Sequence, residues 1–94
     1  MSTETTVSRS ATVASKVGLH ARPAAAVVKA ANELDTVVYL ATNGNPVDAR
    51  SMLSILALGA GHGDAVIVSA AGAGAAEAVD HMVALIESDL DAEG

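Results

Sequence analysis

The chain contains no cysteine, tryptophan or phenylalanine, and only one tyrosine. Without thiols there is neither a disulfide framework nor a thiolate metal site, so a small fold must hold together by packing alone. A lone aromatic ring cannot build a base-stacking platform. Five basic residues against eleven acidic ones leave a net charge of -6, which opposes binding to a phosphate backbone. Nucleic acid is therefore not an expected partner. No apolar run approaches the roughly 20 residues needed to span a bilayer, and Met1 to Thr6 lacks both a basic leader and an apolar stretch. A soluble, unexported, cytoplasmic protein without membrane insertion is expected.

What is present is small and aliphatic. Hydrophobic residues fill 51% of the 94 positions and charged ones 17%, with alanine the commonest, too apolar a mixture for a disordered chain. The length allows one core, so residues 1–94 are expected to form a single domain with residues 1–5 as a flexible tail.

Local patterns give an element order. Thr6 to Ala14 alternates polar residues with Val7, Ala11 and Val13, a strand pattern broken only by Arg9. Ser15 to Leu19 reads as a loop with Gly18 as its flexible point. Pro23 and an alanine-rich run then predict a helix over Ala21 to Leu34, with positions 24, 27, 28, 31 and 34 as its buried stripe. Thr36 to Ala41 and about Pro46 to Ala49 read as strands, and Asn43-Gly44 between them suits a type I′ hairpin. Ser51 can cap a brief helix that ends before Gly59. Asp64 to Ala70 reads as a fourth strand, and a last helix carries Ala75, Ala78, Val79, Met82, Leu85, Ile86 and Leu90 on its apolar side. The order βαββαβα predicts an α+β, two-layer, open-faced sandwich, with three helices on one face of a four-stranded sheet.

The chemistry concentrates at Gly18-Leu19-His20-Ala21-Arg22-Pro23-Ala24. His20 stands where a loop becomes a helix, Arg22 follows two residues later, and Pro23 removes one first-turn donor that would lack a helical acceptor. Backbone N–H groups near Ala21 and Arg22, the positive helix end and the guanidinium all favour an anion beside the ring, as a phosphoryl group would be. On spacing alone, an exposed helix-start histidine with no task remains the competing reading. His62, among Gly59, Gly61 and Gly63, has no second ligand nearby in sequence and no Lys-Ser or Lys-Thr pair after the glycines, so it reads as a loop residue. His81 reads as a solvated surface residue. No metal site and no cofactor are expected.

The heptapeptide resembles the active-site signature of the HPr family, the histidine-containing phosphocarriers of the bacterial phosphoenolpyruvate-dependent sugar phosphotransferase system. Ser51-Met-Leu-Ser-Ile-Leu-Ala-Leu-Gly59 is similar to that family's regulatory-serine helix, and Gly63-Asp64 to the entry of its fourth strand. The resemblance implies an antiparallel sheet and a carrier that is not itself an enzyme. It implies that His20 takes a phosphoryl group on Nδ1 from phosphorylated Enzyme I and gives it to sugar-specific enzyme IIA components. In that scheme Arg22 steadies the charge, Ala21 offers its backbone N–H and Pro23 fixes the helix start. It implies Ser51 as a regulatory phosphorylation site, which brings in a serine kinase or a transcription regulator as partners. A patch of Met52, Leu53 and Leu56 is expected to dock partners, with Met52 and Leu56 partly exposed beside His20 and with Arg22, Lys29 and Arg50 on its rim. Val17 departs from the family pattern, standing where relatives often carry a small polar side chain. The alternative is a regulatory binding module of the same fold controlled by serine phosphorylation. A monomer is expected, because nothing resembles a heptad seam.

Overall fold

A computed structural model describes residues 5–90. The elements follow the expected order: β1 (Thr6–Thr12), α1 (Ala21–Glu33), β2 (Tyr39–Ala41), β3 (Val47–Asp48), α2 (Met52–Leu58), β4 (Ala65–Ala71) and α3 (Ala75–Ile86). The four strands form one antiparallel sheet in the order β1-β4-β2-β3, and the three helices make an open-faced sandwich with it. The pleat sorts the side chains. Ala11, Leu40, Val66, Val68 and Ala70 are buried on the helix side, while Ser8, Ser10, Tyr39 and Ile67 lie on the bare side and remain accessible. From the helix layer Val27, Ile55, Val79, Met82 and Ile86 complete an aliphatic core with no aromatic ring in it.

Arg9, which broke the apolar alternation, has a partner that only the folded chain supplies: its Nε donates to Asp80 Oδ1 on α3 at 2.7 Å. Both side chains are about half exposed, so the pair orients more than it stabilises. Several boundaries differ from expectation. β1 stops at Thr12, and Val13 exchanges backbone bonds with Gly63 and Asp64 beyond the strand. β2 is shorter than the β-branched run, because the Thr36 hydroxyl donates to the Ala73 carbonyl and draws that end of the run toward α3. α3 ends at Ile86 rather than reaching Leu90. The Ser88 hydroxyl donates to the Leu85 carbonyl at 2.6 Å and closes the last turn. The Asn43-Gly44 turn is not type I′. That geometry needs positive φ at both residues, and Gly44 alone has it (φ 102).

Residues 1–4 of the expected tail lie outside the described residues. Thr5 is held, its carbonyl accepting from Gly72 N at 3.1 Å. No helix among the described residues is long and apolar enough to cross a membrane.

Candidate phosphoryl-acceptor site

α1 begins where its sequence says it must. Pro23 fits a first helical turn, whose donors have no helical acceptor, and the following alanines favour the helix. His20 is the N-cap, with extended backbone (φ -140, ψ 157), and its side chain makes no capping bond. The imidazole is therefore not used by the fold, and it is exposed. Ala24 N closes the first turn onto the His20 carbonyl at 3.4 Å. Ala21 is the one non-glycine described residue with positive φ (49), a conformation that costs an alanine about 1–2 kcal/mol. Local strain thus sits immediately beside the candidate acceptor. Arg22 is exposed on the same turn, whereas Pro23 is buried and anchors the helix start in the core.

Gly18, expected to be a flexible point, is clamped. It is buried with φ +73, and a Cβ there would meet the Ala60 carbonyl oxygen and come within 2.8 Å of Gly61 Cα. Leu19 N donates to the Ala60 carbonyl at 2.9 Å. The loop that presents His20 is thereby fixed to the segment after α2. Sequence reasoning missed this contact, although a glycine two residues before the histidine was its available signal.

α2 packs on α1. Ser51 caps it, its Oγ accepting from Ser54 N at 3.2 Å, and Gly59 ends it in the left-handed conformation. Of the expected docking residues, Met52 and Leu56 are half-buried against the core, and Leu53 is 81% exposed. Lys29 is exposed on α1. Val17 is 56% exposed in the loop before His20, adding apolar surface.

Arg50 is committed within the chain. Its Nη2 lies 2.7 Å from Asp48 Oδ2 and its Nε 3.0 Å from Oδ1, while its backbone N also donates to Oδ1. That fork turns an expected rim cation into a locally neutral pair, and Asp48 is a residue the sequence reading did not single out. The hydrogen bond from Arg50 holds the Asp48 carboxyl below its ordinary pKa, outweighing the opposite effect of desolvation. The bond is thus fully made above the ordinary carboxylate value and is lost as pH falls through the depressed one. In an NMR titration the Arg50 Nε–H signal should stay constant down through the usual aspartate range and move only below it. Asp48→Asn should remove that transition. An Nε–H signal that tracks an ordinary aspartate titration would refute the fork.

Similarity to known proteins places the fold in a family. Residues 7–88 match the family model described as PTS HPr component phosphorylation site. A phosphocarrier protein HPr of Vibrio cholerae is 43% identical over 70 residues, covering 74% of this chain and 82% of the relative. The crystal structure of a phosphocarrier protein HPr from Bacillus anthracis superposes with a TM-score of 0.81 at 32% identity, covering 86% of this chain and 96% of that one. The solution structure of Crh, the Bacillus subtilis catabolite repression HPr, is also similar, with a TM-score of 0.66, 32% identity, and 88% and 99% covered. A helix-start histidine on an open-faced sandwich, matched over nearly its whole length, leads to one assignment: the chain belongs to the HPr family of phosphocarrier proteins of the phosphotransferase system.

Proposed function

We propose that the chain, acting as one domain, is a cytoplasmic phosphoryl relay in which His20 is the acceptor. Phosphorylated Enzyme I, charged from phosphoenolpyruvate, is the donor, and sugar-specific enzyme IIA components are the recipients. The unprotonated Nδ1 of His20 attacks phosphorus, an N–P bond forms there as the donor's bond to phosphorus breaks, and the ring's remaining proton stays on Nε2. The same exchange in reverse sense hands the group on, so the protein carries the phosphoryl group without turning over a substrate of its own. Arg22 and the first-turn donors balance the added charge. A relay must not hold its cargo too tightly, and an exposed ring with light support meets that condition.

The observation that carries this reading is the N-cap histidine whose side chain takes no part in capping the helix it starts. Incubation with Enzyme I and labelled phosphoenolpyruvate should give acid-labile label, with phosphorus on Nδ1 by NMR. A chain that stays unlabelled, or one labelled on another residue, would overturn the assignment.

Likeness to Crh favours a second reading, in which Ser51 phosphorylation controls binding to a regulator and relay is secondary. Ser51 is half-buried as the α2 cap, so its modification would put charge at the helix that carries Leu53. Sugar uptake unchanged by Ser51→Ala, with gene regulation altered, would favour this second role.

A further inference from the structure

His62 belongs to no element of the relay described above, yet it is displayed with unusual care. Gly61 to Asp64 form a four-residue turn closed twice: Asp64 N donates to the Gly61 carbonyl at 3.0 Å, and Gly61 N donates to the Asp64 carboxylate at 2.8 Å. His62 occupies the second position, and Gly63 the third, with the positive φ (85) that favours glycine there. The turn is also fixed from below, since Gly63 N donates to the Val13 carbonyl and Val13 N to the Asp64 carbonyl, both at 2.9 Å. Such a turn holds its second residue outward, and His62 is exposed.

The turn is joined to the acceptor loop through the Leu19 N to Ala60 O bond and the close approach of Gly18 to Gly61. His20 follows the donor residue by one position and His62 the acceptor residue by two. The Gly18 contact bounds their separation: with Gly18 Cα against Gly61 Cα, two residues to His20 and one to His62, standard backbone dimensions place the two histidine Cα atoms no more than about 15 Å apart. A partner that forms an ordinary specific complex covers about 800 Å² of this chain, a disc of radius about 16 Å. A footprint of that size centred on His20 reaches His62 at its rim.

We propose that His62 is a recognition residue of the phosphoryl-transfer interface, contacting the protein that charges His20. Its ring offers a donor and an acceptor on an amphipathic plate, suited to the polar rim of a partner, and it does not touch the reacting atoms. A substitution there should change encounter and leave the transfer step alone. This inference rests on the relay reading. In Enzyme I-dependent labelling, His62→Glu should raise the KM for the carrier about fivefold with kcat unchanged, because a carboxylate cannot donate the ring's hydrogen bond and brings an unpaired charge to the rim. His62→Gln, which keeps hydrogen-bonding capacity, should recover most of the loss. Equal KM in both variants and the wild type would overturn the proposal, and so would a fall in kcat at constant KM. A second arm uses unphosphorylated Enzyme I: the His62 ring signals should broaden on titration, and unchanged signals during saturable binding would overturn it. Failure to label the unaltered protein would instead count against the relay, leaving this binding arm as the judge of His62.

Discussion

Replacing His20 with alanine should abolish acid-labile phosphorylation while leaving the melting temperature unchanged. The two halves of that expectation come from one geometric fact. The side chain makes no capping bond, is exposed, and precedes a helix whose start is anchored instead by buried Pro23, so its loss should alter stability by no more than about 0.5 kcal/mol. The chemical loss is complete because no neighbouring group can replace a ring nitrogen as the site of the N–P bond. His62 and His81 remain in the variant as internal controls. Label persisting on either would defeat the acceptor assignment, and a marked fall in melting temperature would show that the imidazole has a structural task.

Gly18→Ala should produce the opposite pattern, harming the fold first and the chemistry through it. Two costs coincide. An alanine at φ +73 is strained by about 1–2 kcal/mol, and its methyl would strike the Ala60 carbonyl and Gly61 Cα, backbone atoms that cannot rotate aside. Together these predict a loss of about 3 kcal/mol or more, a fall in Tm of more than about 10 °C for a domain of this size. Either the left-handed conformation or the bond from Leu19 to Ala60 must give way, and each carries His20 with it. Labelling should therefore slow even below the new melting temperature. Gly59→Ala supplies the control, since its backbone is also left-handed (φ +66) but nothing lies within 4 Å of the added carbon. It should show the conformational cost of about 1–2 kcal/mol alone. Equal destabilisation in the two variants would mean that the close approach at Gly18 is not decisive.

These contrasts mark where the sequence could be read and where it could not. The start of α1 was legible because its signals are local: Pro23, the alanine run and the preceding loop residues lie within one turn of each other. The α2 cap was legible for the same reason, Ser51 and Ser54 being a turn apart. The clamp on Gly18 was not, since its partners lie some forty positions further along the chain and a glycine announces freedom as readily as close approach. Arg9 looked like an interruption of a strand until α3 brought Asp80 to it. The hairpin dipeptide was recognised, but a dipeptide cannot say which of its two residues will adopt positive φ. Arg50 illustrates a further limit: composition counts it among the available cations, and only the fold reveals the carboxylate two residues earlier that forks onto it.

The placement of the one aromatic ring has a practical consequence for any optical study. Tyr39 stands on the bare side of the sheet, 40% accessible, while the core cluster holds no aromatic ring. Its intrinsic fluorescence is therefore a reporter of what touches the strands from outside. Loosening of the interior can leave that emission nearly dark to change, and the helical layer has to be followed by circular dichroism or isotope exchange instead.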